Sequence, residues 1–70
     1  AEFDLERGRE QPVDAISGIG NVRGTRLREA GVDNILALAT LPPERTATIA
    51  GIGEETAIAW RDAARALMHR

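Results

Sequence analysis

The chain has 70 residues, of which 43% are hydrophobic, so it has room for one small packed domain. Cysteine is absent and there is one histidine, which excludes disulfides, thiolate metal sites, histidine-based triads and zinc clusters. Eleven acidic residues outnumber nine arginines, and this net charge of −2 is unfavourable for nucleic-acid binding. No apolar run approaches the ~20 residues that cross a bilayer, so we expect no membrane partner.

The charges are unevenly distributed along the chain. Residues 1–11 carry four acids and two arginines, whereas Pro12–Arg70 carries seven of each and is neutral. Within this neutral part, Arg23, Arg26 and Arg28 form a local basic cluster. An anion-binding surface is therefore possible on a chain whose net charge is negative.

Residues 1–11 are predicted to form a charged, flexible linker before a domain that spans residues 12–70. Apolar residues are few in this segment, Gly8 interrupts it and Pro12 ends it. The alternative is a short helix over Phe3–Arg7. The segment also lacks the apolar stretch of a secretory signal peptide.

Start and stop signals predict five short helices and an all-α fold. A proline precedes the first predicted helix and another opens the fourth. Gly31 is expected to end the second helix in a left-handed conformation, and Asp33 is the predicted N-cap of the third. No segment alternates with period 2 for long enough to make a strand. The predicted helices run over about Val13–Ser17, Asn21–Ala30, Asn34–Ala39, Pro43–Ala50 and Glu54–Met68.

The last predicted helix has the clearest apolar face. Trp60 lies on this face, so we expect it in the core rather than stacked on a base or in a partner's groove. The face comprises Ala57, Trp60, Ala64, Leu67 and Met68.

A tripeptide is repeated in the chain. Gly18-Ile19-Gly20 recurs 33 positions later as Gly51-Ile52-Gly53, and each copy opens a longer helix. Glycine allows the backbone to reverse with positive φ, while the isoleucine can anchor the turn inward. The unpaired N–H groups of the following helix then form a small site for an anion such as phosphate.

The first hairpin is the predicted phosphate-binding site. The backbone N–H groups near Gly18, Gly20 and Val22 would hold a phosphate oxygen without reading bases. Two arginines would add charge and a threonine would add a hydroxyl. The alternative is a turn that only packs, beside a solvated arginine face. The predicted site residues are Gly18, Ile19, Gly20, Asn21, Val22, Arg23, Thr25 and Arg26.

The second hairpin, Gly51, Ile52 and Gly53, is at most a weak second phosphate contact. Glu54 and Glu55 follow it directly, and two carboxylates at a helix N-terminus repel phosphate. We therefore interpret this copy mainly as a structural pseudo-repeat.

The two copies resemble helix-hairpin-helix motifs. The first reads Val13-x-x-Ile16-Ser-Gly18-Ile19-Gly20-x-x-x-Gly24-x-x-Leu27, and the second reads Ile49-Ala-Gly51-Ile52-Gly53-x-x-x-Ala57-x-x-Trp60. The chain is similar to tandem domains of this kind in archaeal RadA recombinases, bacterial RNA polymerase alpha and NusA. The resemblance implies a SAM-like five-helix fold in which a linker helix joins the two motifs.

The chain departs from the family pattern at two positions besides the two glutamates. Ser17 stands where proline is common, and Thr46 stands where the family usually has a bulky apolar residue. These differences indicate that the two motifs are not equivalent.

The resemblance implies a non-sequence-specific DNA-binding module that grips the backbone, mainly of duplex DNA. We expect it to belong to a larger DNA repair, recombination or transcription protein of the prokaryotic cytoplasm, including its nucleoid. The alternative is a protein–protein interaction module that does not bind DNA directly. A third interpretation is a structural domain that dimerises or docks within its parent chain.

Catalysis, cofactors and metals are not expected. No nucleophile–base pair or phosphate loop can be assembled from these residues. Adjacent Glu54 and Glu55 point about 100° apart on a helix, so they do not form an acid–base pair. His69 is expected to be solvated.

Overall fold

A computed structural model of the chain describes residues 3–69. Ala1 and Glu2 of the predicted linker and Arg70 of the predicted domain lie outside the described residues. Within residues 3–69 there are helices but no strand, which confirms the all-α class. The elements are α1 (Leu5–Glu10), a 3₁₀ turn (Val13–Ala15), α2 (Gly20–Glu29), α3 (Ile35–Thr40), α4 (Pro43–Ala50) and α5 (Glu54–Met68).

Helices with strong end signals have the predicted bounds. Helix α4 begins at Pro43 and is ended by Gly51, whose φ of +71° is left-handed, and α5 follows after two residues. Gly31, with φ of +93°, follows the end of α2 as predicted. Proline at a first turn and glycine beyond a last turn therefore place these ends well.

Two of the predicted elements need correction. The helix predicted over Val13–Ser17 is a 3₁₀ turn of three residues, because Ile16 is already extended (φ −83°, ψ 125°). Helix α3 is capped by Asn34, whose side chain accepts from the N–H of Ala37 at 2.9 Å, and not by Asp33.

Part of the flexible linker predicted over residues 1–11 instead forms α1, so the alternative of a short helix over Phe3–Arg7 is nearer, with its bounds shifted to Leu5–Glu10. The side chain of Asp4 caps this helix by accepting from the N–H of Arg7 at 3.1 Å. The N–H of Asp4 also donates to the carbonyl oxygen of Met68 at 2.7 Å. Gly8 is buried, and a Cβ there would lie 2.8 Å from Met68 Sδ. Helix α1 therefore packs directly on α3 and α5.

The core lies around α5, which packs on α3 and α4, while α2 packs on α4 and the 3₁₀ turn. Trp60 is 5% exposed, as predicted. Leu67 is 36% exposed and lies at the edge of the α5 stripe, so its predicted core position is wrong. Thr46, a polar residue, is buried and donates to the carbonyl oxygen of Pro42. The largest apolar core side chains include Val13, Ile16, Ile19, Leu27, Val32, Ile35, Leu38, Trp60 and Met68.

None of the helices in residues 3–69 combines the length and apolar character that a membrane span requires.

Candidate functional site

The first Gly-Ile-Gly turn has a buried central residue and two exposed glycines. Ile19 is 1% exposed, whereas Gly18 and Gly20 on either side of it are exposed. Both glycines have positive φ, +96° and +71°, which other residues rarely adopt. The N–H of Ile19 donates to the carbonyl oxygen of Ile16 at 3.4 Å and closes the turn. The buried isoleucine therefore fixes the turn, as predicted, and leaves its glycines at the surface.

Helix α2 begins at this turn with an uncapped N-terminus. Its N-cap residue, Ile19, has no side chain that can accept a hydrogen bond, and no acidic residue lies in the first turn. The next residues, Asn21, Val22 and Arg23, are all exposed. The first N–H groups of a helix have no intrahelical acceptor, and they carry the positive end of its dipole. The start of α2 is therefore open to an anion.

The three clustered arginines have different surroundings. Arg23 is exposed and forms no ion pair within residues 3–69. Arg26 donates from Nη1 to the carbonyl oxygen of Ala50 at 3.4 Å. Arg28 lies 3.8 Å from Asp14. Only the first guanidinium is thus free of protein partners in the described chain.

Thr25 also has partners within the protein. Its hydroxyl donates to the carbonyl oxygen of Asn21 at 2.8 Å and accepts from Arg28 Nη2 at 3.4 Å. Thr25 is exposed, so its hydroxyl can exchange these partners for a ligand.

A shallow cavity of about 400 Å³ joins the first hairpin to the end of α4. Arg26 links the two parts, because its guanidinium donates to the carbonyl oxygen of Ala50 at the end of α4, where the helix dipole is negative. The cavity therefore combines the open start of α2 with two arginines. Its lining consists of Ile19, Gly20, Asn21, Val22, Arg23, Arg26, Ala50 and Gly51.

The role of α4 in this cavity could not be seen in the sequence. Ala50 and Arg26 are 24 positions apart, and no local pattern links an alanine carbonyl to a distant arginine. Gly51 was assigned to the second hairpin, yet it lines the cavity of the first. The sequence signal most closely related to this contact is Gly51. A left-handed glycine marks the end of α4, where the last carbonyl groups of the helix lack intrahelical partners.

The second hairpin has a different backbone. The N–H groups of Gly51 and Ile52 both donate to the carbonyl oxygen of Ala47, at 2.9 and 3.0 Å. Gly53 is extended, with φ of −73° and ψ of 156°, and gives no side-chain cap. The acidic pair Glu54-Glu55 is exposed in the first turn of α5. The start of α5 is therefore negative where the start of α2 is not.

Two further polar residues, Arg65 and His69, lie outside the cavity at the first hairpin. Arg65 lines a separate cavity with Phe3, Leu36 and Met68. His69 is exposed, and its ring centroid lies 6.0 Å from that of Phe3 in an edge-on arrangement. Among residues 3–69, no group of three or more His, Asp or Glu side chains is placed to hold a metal ion.

Comparison with known proteins agrees with this architecture. A family model described as a SAM-like helix-hairpin-helix tandem matches residues 10–66. No solved structure matches the chain. The matched range includes both hairpins and all of α2, α3 and α4. Tandem domains of this type commonly bind DNA non-specifically or mediate protein interactions. With two Gly-Ile-Gly hairpins joined through α3, the chain belongs to the SAM-like helix-hairpin-helix tandem family.

Proposed function

We propose that this domain binds the phosphate backbone of duplex DNA through its first hairpin, without reading base sequence. The observation that carries the proposal is the uncapped start of α2, which opens into the same cavity as Arg23 and Arg26. Backbone N–H groups and guanidinium groups are the donors that bind phosphate oxygens in such contacts.

Five of the predicted residues take part in this contact. The N–H groups of Gly20, Asn21 and Val22 hold the phosphate. Arg23, which forms no ion pair within residues 3–69, supplies a positive charge in the same cavity. The guanidinium of Arg26 adds charge while it keeps the end of α4 beside the hairpin. Because the donors recognise only the backbone, affinity is modest and independent of sequence.

We propose that the domain serves a larger DNA repair, recombination or transcription protein in a prokaryotic cytoplasm, where it associates with the nucleoid. Its part is to bind the DNA backbone, and no catalytic step, metal or cofactor is assigned to it. Family membership supports the DNA-binding part of this role, since related tandem domains commonly bind DNA without sequence preference or mediate protein interactions.

The test is the salt dependence of duplex binding, measured by fluorescence anisotropy. Two to three phosphate contacts predict a slope of log K against log salt of about −2 to −3. Arg23→Ala removes one contact and should reduce the slope by about 1. Arg45→Ala is the matched control, because Arg45 is exposed in the first turn of α4 and does not line the cavity.

Chemical shifts locate the contact independently. On titration with duplex DNA, the largest changes in an amide spectrum should fall within residues 18–26. Changes centred on residues 54–60, or equal slopes for Arg23→Ala and Arg45→Ala, would contradict the assignment to the first hairpin.

A protein-interaction role is the second candidate. The exposed Glu54-Glu55 pair at the start of α5 favours it, because the pair suits a basic partner and repels DNA. No anisotropy change with excess duplex at low salt would favour this candidate. Sedimentation at two concentrations would separate self-association from a monomeric domain.

A further inference from the structure

We infer that the domain contacts one sugar-phosphate strand only, so that single-stranded and duplex DNA are bound through the same set of contacts. This inference rests on the proposed function and concerns which form of DNA the first hairpin accepts. It follows from three features of the molecule: one open helix start, one acidic helix start and the absence of an exposed aromatic side chain at the hairpins.

The first feature, the open start of α2, places the groups that can donate hydrogen bonds to a phosphate around one cavity. The uncapped start of α2, Arg23 and Arg26 all border one cavity of about 400 Å³. The other side of the cavity is lined by Ala50 and Gly51. The carbonyl groups at this end of α4 accept hydrogen bonds and cannot donate one to a phosphate.

The second feature removes the second hairpin from the contact. Glu54 and Glu55 are exposed in the first turn of α5, at the point where a second phosphate would have to approach. Their carboxylates repel the phosphate and compete for the free N–H groups of the helix. Gly53 is also extended, so this turn does not reproduce the two positive φ angles of Gly18 and Gly20.

The third feature concerns the bases. Trp60 is 5% exposed and packed in the core, so it offers no face for a base. Phe3 is 41% exposed but lines the separate cavity with Leu36 and Met68. Proteins that prefer single strands gain much of their affinity from stacking bases on aromatic side chains. Without stacking, neither form of DNA gains beyond its backbone contacts.

Equal contacts give a quantitative expectation. Each phosphate contact contributes about −0.9 to the salt slope on duplex DNA and about −0.7 on a single strand. Slopes divided by these values should yield the same number of contacts, about 2 to 3, for an oligonucleotide and the duplex of the same length. The higher charge density of the duplex should make its Kd lower by no more than about tenfold.

The outcomes separate this inference from the proposed function. A duplex slope that needs at least one contact more than the single strand, or a preference for duplex well beyond about tenfold, would overturn the inference while DNA binding stands. A preference for the single strand would overturn it as well. Binding to neither form would overturn the proposed function itself.

A gain-of-contact variant tests whether Glu54 and Glu55 are what keeps the second hairpin from contacting DNA. Glu54→Gln with Glu55→Gln removes the two carboxylates, and Glu6→Gln with Glu10→Gln is the matched control. The control removes the same charge from exposed positions on α1, which packs on α3 and α5 and does not line the cavity. Relative to the control, the first variant should add about one contact to the duplex slope and none to the single-strand slope.

Two results would overturn the explanation by these carboxylates. One is a duplex slope equal to that of the control variant, and the other is an equal increase on both forms of DNA. Far-ultraviolet circular dichroism should show both variants folded before the slopes are compared, because acidic residues in the first turn of a helix also stabilise that helix.

Discussion

The two hairpins have the same tripeptide but not the same conformation or charge. In the first, Gly18 and Gly20 both have positive φ and Ile19 is 1% exposed. In the second, only Gly51 has positive φ, and Ile52 is half-buried. The repeated sequence therefore specifies two reversals of the chain, whereas each surrounding structure decides how tightly its turn is held.

The residues after each tripeptide extend this difference to the surface. Asn21, Val22 and Arg23 leave the start of α2 without an acid, while Glu54 and Glu55 make the start of α5 negative. A helix N-terminus attracts phosphate only when its own side chains leave the N–H groups free. We conclude that a motif match identifies a fold here, and that local charge distinguishes the two copies.

The largest effect should come from the two anchoring isoleucines. Ile19→Ala should lower the free energy of unfolding by about 2–5 kcal/mol, because it empties a fully buried site. Ile52→Ala should cost about half as much, since part of that side chain is already in water. Urea denaturation followed by the fluorescence of the single tryptophan, Trp60, measures both. Equal losses would show that the second turn is anchored as firmly as the first.

The glycines that open the two helices provide the next comparison. Gly20→Ala should destabilise the domain by about 1–2 kcal/mol, because φ of +71° is unfavourable for a residue with a Cβ. Gly53→Ala should cost less, under about 1 kcal/mol, because φ of −73° suits alanine and a Cβ there meets no atom within 4 Å, so only the preference of the N-cap position of α5 for glycine is lost. A Cβ at Gly20 also meets no atom within 4 Å, so neither substitution creates a steric clash. Thermal unfolding in which the two variants lose equal stability would contradict this difference.

The smallest expected effect on stability concerns the small residue at which the second helix of each motif crosses the first. Ala57 is fully buried at this position of α5, and its counterpart in α2 is Gly24. A Cβ at Gly24 would lie 3.4 Å from Arg28 Nη1 and 3.6 Å from Ile19 Cγ2, which are ordinary contacts. Gly24→Ala should therefore raise the free energy of unfolding by about 0.5–1 kcal/mol through helix propensity. A loss of stability would mean that α2 needs the glycine for packing.

Local signals predicted much of the fold. The bounds of α4 and α5 follow from Pro43, Gly51 and the acidic start of α5, all within a few residues of the helix ends. The burial of Ile19 and Trp60 follows from their places in a turn and on an apolar stripe. Such signals act over one or two helical turns, so the sequence alone is enough to read them.

Other features depended on distant partners and were missed. Helix α1 was predicted as a linker because its residues are mostly charged, yet Gly8 lets it approach Met68 closely. Asn34 caps α3 in place of Asp33, whose carbonyl oxygen accepts from the N–H of Val13 at 3.2 Å. The start of α3 is thus paired with a segment twenty residues earlier in the chain, and no local signal shows this pairing.

The sequence by itself determined the helical class, the two hairpin turns and the charges that follow each of them, because these depend on residue type and short-range spacing. Only the tertiary structure decided that the end of α4 borders the first hairpin and that Arg26 reaches Ala50. It also separated the clustered arginines, directing Arg28 to Asp14 and leaving Arg23 unpaired within the described residues. The physical reason is that a side chain's partner is set by which surfaces pack together, and packing joins residues that are far apart in the chain.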